Sequence, residues 1–203
     1  MTKKGKSETR IDVNDGRNGR VDEVLQRVGR MAATGHYDQA LAVLNAAGRD
    51  GQILNAKGVC LLRLQKPAEA MRIYRELVLS PGCTWMRPHL PITYKTNYAT
   101  SLLLSGHPSG CLEILAELND ESLDVVKQLR AAMKRWESSL SFWQKLNWRF
   151  GNIEPSNRPV SIDFEPGQFV GITPEVPTPP SPSCDPTTGP ESNNPDPPNK
   201  LAA

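Results

Sequence analysis

The sequence predicts an all-α fold, a short right-handed solenoid of about three helix-turn-helix units closed by a C-terminal capping helix. Apolar residues recur at helical spacing from Val21 onward, glycine or proline interrupts that spacing, and one short pattern returns three times. The three occurrences are GHYDQALAVL at 35–44, QKPAEAMRIY at 65–74 and GHPSGCLEIL at 106–115, which begin 30 and then 41 residues apart. These intervals lie on either side of the roughly 34-residue period of helix-turn-helix repeats.

Each unit consists of two apolar runs separated by a turn. The units are predicted at about 21–50, 51–82 and 93–120. Gly35 and Gly106 provide the backbone freedom that the first and third turns need, and Pro67 and Pro108 suit the first position of the helix that follows a turn. Between the second and third units, a proline-rich insertion lengthens the connection. Residues 21–120 are therefore predicted to form three packed helix pairs.

The flanking regions differ from the repeats in composition. Residues 1–20 are polar and charged, which predicts a disordered arm, and ten of the 18 prolines fall in residues 173–203, which predicts a disordered tail. Residues 121–151 contain a long apolar ladder with three of the four tryptophans, typical of a capping helix or helix pair. Residues 152–172 alternate apolar and polar side chains between prolines, and we expect an extended segment that packs on the domain.

The repeated unit resembles the tetratricopeptide repeat, whose second helix follows the pattern G-x-Y-x-x-A-x-x-x-[FY]-x-x-A. The resemblance covers residues 21 to about 119. The matching residues are Gly35, Tyr37, Ala40, Leu44 and Ala47 in the first unit, Gly58, Ala70, Tyr74 and Pro81 in the second, and Asn97, Gly106 and Cys111 in the third.

The resemblance implies a concave groove, lined by the first helix of each repeat, that binds a peptide or helix of a protein partner. The matching positions are Asn55, Val59, Leu62, Arg63, Thr96, Asn97, Thr100 and Leu104. Asn97 falls where the family often uses an asparagine to hold a ligand's backbone, which an amide can do because it both donates and accepts hydrogen bonds. A secondary contact is expected at the cap tryptophans Trp136, Trp143 and Trp148.

The sequence offers little on which catalysis could rest. It contains no phosphate-binding glycine motif and no nucleophile elbow. The three histidines and four cysteines lack metal-ligand spacing. We therefore predict a non-catalytic interaction module, an adaptor, scaffold or chaperone-like protein, with no catalytic residues, no cofactor, no metal and no small-molecule substrate.

Several alternatives stay open at the level of sequence. The extended segment could occupy the chain's own groove as an internal ligand or act as a structural strap, and the aromatic cap or the tail could then make the main partner contact. Nucleic-acid binding through the basic N-terminal arm has poor support, since the net charge is only +2. The absence of a signal peptide or a long apolar run predicts a cytoplasmic protein without membrane contact, and an uncovered solenoid end leaves a homodimer open.

Overall fold

The computed structural model describes residues 11–151, 153–155 and 158–172. Within these ranges the chain forms eight α-helices and no β-strand beyond one isolated bridge, so the predicted all-α class is confirmed. The helices are α1 (Ile11–Ala33), α2 (Tyr37–Ala46), α3 (Gly51–Arg63), α4 (Pro67–Val78), α5 (Ile92–Leu104), α6 (Pro108–Leu118), α7 (Asp124–Ser139) and α8 (Phe142–Gly151).

Among the first six helices, each packs against the next one in the chain, and the odd-numbered helices also contact one another in the order α1, α3, α5, α7. This order places four helices side by side in one layer, with α2, α4 and α6 packed against them. The buried side chains between the layers form two adjoining clusters, one at α1–α3 and a larger one from α3 to α8. The result is a repeat-like helical architecture in which the odd-numbered layer offers one continuous outer face.

The three helix-connecting turns have the same backbone geometry. In each turn an amide donates back across the helix end: His36 to the Met31 carbonyl, Lys66 to Leu61 and His107 to Leu102, each at 2.9 Å. This six-residue bond closes the helix C-terminus and requires a left-handed residue just before the donor. The left-handed residues are Gly35 (φ +75°), Gln65 (φ +58°) and Gly106 (φ +83°). The repeated sequence pattern thus marks a repeated turn.

Gln65 is the one non-glycine residue in these three left-handed positions. A left-handed conformation costs a residue with a Cβ atom roughly 1–2 kcal/mol. We expect Gln65→Gly to raise the free energy of unfolding by about 1 kcal/mol, because glycine adopts this conformation without that cost. Urea unfolding followed by circular dichroism measures the change, with Gln144→Gly in α8 as a control that should be destabilising. A decrease in stability for Gln65→Gly would contradict the assignment.

The N-terminal boundary of the fold differs from the prediction. Helix α1 begins at Ile11, so residues 11–20, which composition assigns to a disordered arm, are helical, and that prediction is wrong for them. Polar residues can continue a helix that is packed further along, since each added residue gains a hydrogen bond without a new nucleation cost. Residues 1–10 and the predicted proline-rich tail at 173–203 lie outside the described residues.

The insertion before α5 folds back onto the end of α4. Leu79 and Met86 form an antiparallel bridge, and the Arg87 side chain donates to the carbonyls of Glu76 and Leu79. Within this connection the Met86 side chain is buried in the main core. The insertion therefore packs on the core, and α5 still lies directly against α4.

The predicted cap is a pair of helices, α7 and α8, and its apolar ladder is correct only for the first helix. Val126, Leu129, Met133, Trp136 and Leu140 are buried, whereas Trp143 and Phe150 are 70% and 83% exposed. The backbone leaves the helical conformation at Leu140 (ψ 146°). Because this break interrupts the helix, the apolar positions of α7 cannot be extended at the same spacing to find the buried face of α8.

Candidate functional site

The extended segment, residues 158–172, lies across the outer face of the odd-numbered helices. From its N-terminal end, it contacts α7 through Arg158 and Asp163, then α3 and α5 through residues 165–168, and finally α1 through Ile172. It has no helix or strand in its described residues. The predicted groove positions can therefore be judged by their contacts with this segment.

The first half of the segment is anchored on α7. The Trp136 indole Nε1 donates to the Arg158 carbonyl at 2.7 Å, and the Arg135 guanidinium pairs with the Asp163 carboxylate at 2.6 Å. Val160 is buried, and Ile162 and Phe164 pack half-buried against the main core. Apolar burial and one buried donor thus hold residues 158–164 in place.

Asn97 on α5 holds the main chain of Gln168 with both halves of its amide. Its Nδ2 donates to the Gln168 carbonyl at 2.8 Å, and its Oδ1 accepts from the Gln168 amide at 2.8 Å. This is the pairing that a β-strand would offer a neighbouring strand, made here by a side chain. Both bonds are to backbone atoms, and the Gln168 side chain is exposed, so the contact does not depend on the residue type at that position.

Asn55 and Tyr74 fix the orientation of the Asn97 amide. The Asn97 Nδ2 also donates to Asn55 Oδ1 at 2.9 Å, and the Tyr74 hydroxyl donates to the Asn55 carbonyl at 3.0 Å. The Asn55 Nδ2 donates in turn to the Gln168 carbonyl at 3.3 Å. Burial raises the pKa of Tyr74 well above its usual value, so the hydroxyl keeps its proton. The side chains of Asn55, Tyr74 and Asn97 are fully buried, so any hydrogen-bonding group among them that lacked a partner would destabilise the fold.

Arg63 supplies the positive charge of the site. Its guanidinium forms an ion pair with the Glu165 carboxylate and donates through Nη2 to the Gly167 carbonyl at 2.9 Å. The side chain is only 11% exposed, and this burial lowers the pKa of the guanidinium below its ordinary value. Arginine nevertheless remains cationic in proteins, so the site holds a largely desolvated charge that favours an acidic contact.

Val59 and Leu62 form the apolar floor beneath Gly167. A Cβ atom on Gly167 would come within 3.2 Å of Leu62 Cδ1 and 3.3 Å of the Val59 methyl groups. Gly167 also has a φ of +82°, which residues with a Cβ atom rarely adopt. The floor and the backbone together require glycine at this place. We call the surface formed by Asn55, Val59, Leu62, Arg63 and Asn97 the clamp face.

The other three predicted groove residues do not belong to the clamp face. The hydroxyl groups of Thr96 and Thr100 donate to carbonyls one turn earlier in α5, at 3.1 Å and 2.8 Å. Both are buried. Leu104 lies at the far end of α5, where it lines a hollow together with Pro159 and Val160. The structure thus brings five of the eight predicted residues together.

The three cap tryptophans have different surroundings. Trp136 and Trp148 are buried and meet edge to face, with ring centroids 5.2 Å apart, and the Trp148 indole donates to Glu137 at 3.0 Å. Both belong to the core, and little of either side chain is accessible for the predicted secondary contact. Trp143 is exposed beside Phe142. Of the three, only Trp143 is accessible to a partner.

The sequence-based reasoning missed the residues that come from the segment itself. Glu165, Gly167 and Gln168 were not candidates, and Tyr74 was named only as a match to the repeat pattern. The signal that was present is the EPG sequence at 165–167, an acidic residue before a Pro-Gly pair, which indicates a turn. It did not indicate which helices the segment would contact, because those contacts span more than 70 residues of sequence.

Reactive side chains are not clustered in the part of the chain described here. No group of three or more His, Cys, Asp or Glu residues in it could hold a metal ion. Burial raises the pKa of the Cys60 and Cys111 thiols to about 12, which leaves both protonated at neutral pH. No helix within the described ranges has the length and apolar character needed to cross a membrane.

The buried thiols predict a pH dependence of stability. Their pKa values are about 12 in the folded protein against 9.0 in an exposed thiol. Because the folded pKa is the higher one, this contribution to stability is complete below pH 9 and is lost as the pH rises towards 12. We expect Cys60→Ala/Cys111→Ala to lose less stability than the wild type between pH 8 and pH 10.5, measured by urea unfolding. Equal losses in the two proteins would contradict the prediction.

Comparison with protein-family models, with curated proteins and with solved structures finds no match to this chain. The geometry of the clamp face and of the segment bound to it is therefore the basis on which a function can be proposed.

Proposed function

We propose that this protein is a non-catalytic protein-interaction module of tetratricopeptide-like repeats whose clamp face binds an extended segment of a partner protein. In the free chain, residues 165–168 occupy that face, and Phe169 and Ile172 continue onto the adjoining α1–α3 cluster. The observation that carries the proposal is the Asn97 amide, which holds the Gln168 backbone by two hydrogen bonds of 2.8 Å. Such a contact binds an extended chain through its main chain, and the neighbouring pockets select its side chains.

The chemistry of the clamp face favours exchange of its occupant. If residues 165–172 left the face, Asn55, Asn97 and Arg63 would exchange their bonds to the segment for bonds to water. A partner segment and the chain's own segment can satisfy the same groups equally. The hydrogen bonds that are broken when the internal segment leaves are therefore formed again with a partner segment. The internal segment competes with that partner at high effective concentration.

A second interpretation treats the segment as a permanent structural strap. The buried Val160 and the bond from Trp136 to the Arg158 carbonyl favour this interpretation for the first half of the segment. Neither of these two contacts involves residues 165–172. Those residues contact the helices mainly through main-chain hydrogen bonds, through Arg63 and through half-buried apolar side chains. We therefore assign anchoring to residues 158–164 and exchange to residues 165–172.

The test is a Gly167→Val variant of the full chain. Valine at φ +82° is strained and would press on Val59 and Leu62, so residues 165–172 should leave the clamp face. The matched control is Gly82→Val, which has a similar φ of +73° but nothing within 4 Å of the added Cβ atom. Affinity purification with each variant as bait should recover more partner protein with Gly167→Val than with wild type or Gly82→Val.

The same experiment separates the two interpretations. Adding Asn97→Ala to Gly167→Val should abolish the gain, since a partner then loses both main-chain bonds. If the segment is instead a strap throughout, Gly167→Val should lower helicity by circular dichroism and recover no additional partner. That outcome would remove the clamp face as a binding site.

A further inference from the structure

We propose that the partner segment follows the pattern of this chain's own residues 165–172: an acidic residue, glycine two positions later, an aromatic residue after another two and an aliphatic residue three beyond that. In this chain the pattern is Glu165, Gly167, Phe169 and Ile172. The inference rests on the proposed function and specifies which chemistry the clamp face and the adjoining α1–α3 cluster select. Each position follows from one contact.

The acidic position is set by Arg63. Its guanidinium pairs with Glu165 while it also donates to the Gly167 carbonyl, and the side chain is only 11% exposed. A segment with a neutral residue in place of Glu165 would leave this desolvated charge without a counterion. A basic residue there would face it directly. Charge therefore discriminates between segments at this position.

The glycine position is set by the floor and by the backbone. Any side chain at 167 would meet Leu62 and Val59 at 3.2–3.3 Å while adopting a φ of +82°. The following position, held by Asn97, accepts any residue with a backbone amide, since only main-chain atoms are used. Proline is excluded there because it has no N–H.

The aromatic and aliphatic positions are set by the α1–α3 end of the fold. Phe169 and Ile172 both pack against the apolar cluster formed by these helices. Gly29 leaves room for Ile172, because a Cβ atom at Gly29 would lie 2.5 Å from Ile172 Cγ2. Gly171, with a φ of +75°, passes close to Leu25 between the two apolar contacts. This end therefore selects two apolar side chains separated by a bend.

The contacts also give the direction of binding. The N-terminal end of the segment lies at α7 and its C-terminal end at α1. A partner that follows the pattern binds with the same polarity, because the Asn97 amide presents its donor and acceptor in a fixed order held by Asn55. A segment of reversed sequence would not satisfy the charge and glycine positions together.

The experiment uses a fluorescently labelled peptide with the sequence of residues 162–172, titrated against full-length protein and followed by anisotropy. We expect it to bind the Gly167→Val protein at least about tenfold more tightly than wild type, whose own segment competes at roughly millimolar effective concentration. The Gly82→Val protein should behave as wild type. Glu165→Lys in the protein opens the clamp face by charge repulsion instead of strain, and it provides a second opened variant should Gly167→Val fold poorly.

The peptide variants test the pattern position by position. Gly167→Val in the peptide should abolish binding to the opened protein, and Phe169→Ala should weaken it. Glu165→Lys in the peptide should weaken binding on the order of tenfold or more, and Arg63→Glu added to the Gly167→Val protein should restore it. A merely structural role for Arg63 would not produce this exchange of preference.

Three results would overturn the inference: no peptide binding to either opened variant, equal binding of the unaltered peptide and the Glu165→Lys peptide, or no restoration by Arg63→Glu. These outcomes are separable from failure of the proposed function. If opened protein recovers partners that lack the pattern, the clamp face remains a binding site and only the pattern fails. If the peptide binds but opened protein recovers no partner, the pattern stands as the selectivity of the face and the partner-binding function fails.

Discussion

Asn97→Asp is expected to lower the free energy of unfolding at pH 7 by about 3 to 5 kcal/mol, the range typical of leaving one uncompensated charge in a buried site. Only one side-chain atom changes, from the Nδ2 group to an oxygen. That nitrogen donates to the Gln168 carbonyl at 2.8 Å and to Asn55 Oδ1 at 2.9 Å. A carboxylate would place negative charge against both of these acceptors in a buried site.

The pH dependence identifies the cause. A protonated carboxyl at position 97 can still donate one hydrogen bond, whereas the ionised form cannot, so the folded-state pKa of the new carboxyl rises above its unfolded value. With the folded pKa raised, the lost stability is recovered below the unfolded pKa near 3.9 and is lost again as the pH rises through the folded pKa. The difference between wild type and variant should therefore be smaller at pH 3.5 than at pH 7.

Urea unfolding at the two pH values measures this difference. Asn147→Asp is the matched control, because Asn147 is an exposed residue of α8 and should change stability by less than about 0.5 kcal/mol at either pH. Asn97→Leu serves as a second control: it removes the same bonds without adding charge, so its cost should not vary with pH in this way. Equal costs of Asn97→Asp at pH 3.5 and pH 7 would contradict the described bonding.

Local patterns in the sequence were sufficient for the turns and for part of the clamp face. The repeated pattern that begins at Gly35, Gln65 and Gly106 predicts where three helices end. This is possible because each end is closed by a left-handed residue and a hydrogen bond that spans only six residues. The resemblance to the repeat implies that Asn55 and Asn97 face the groove, and in the structure the Asn97 Nδ2 lies 2.9 Å from the Asn55 Oδ1.

What escaped prediction depends on rotation about a helix axis or on contacts between distant residues. Adjacent residues of a helix point about 100° apart, so Thr96 lies next to Asn97 in sequence yet bonds the backbone of its own helix. Likewise, the identity of the occupant of the clamp face could not be chosen from sequence, because Gln168 meets Asn97 across 71 residues. The alternatives of internal ligand and strap both fitted the alternating pattern of residues 160–164.

Gly58→Ala is expected to lower the free energy of unfolding by about 2 to 3 kcal/mol, as overpacking of a tight core does. Gly58 lies in the middle of α3, where alanine would ordinarily be the better helix former by about 1 kcal/mol. Here, however, a Cβ atom would lie 2.7 Å from the Tyr74 hydroxyl oxygen and closer still to the ring carbon that bears it. The ring cannot move aside freely, because it is fully buried.

The consequence reaches the clamp face. Tyr74 holds the Asn55 carbonyl at 3.0 Å, and Asn55 in turn orients the Asn97 amide, so a displaced ring should also loosen residues 165–172. Gly58→Ala should therefore lower stability in urea and increase proteolytic cleavage within the segment. If the displaced ring disturbs only the packing of α3 against α4, stability in urea should fall while proteolytic cleavage within the segment stays unchanged.

A matched control and a double-mutant cycle test this account of Gly58. Gly19→Ala in α1 has nothing within 4 Å of the added Cβ atom and should stabilise the protein by about 0.5 to 1 kcal/mol. In a Tyr74→Leu background, Gly58→Ala should cost much less than in wild type, because the ring that it strikes is gone. If the losses of stability in that cycle are additive, the cost of Gly58→Ala does not arise from contact with the Tyr74 ring. The proposed effect on the bonds that hold Gln168 would then lose its basis.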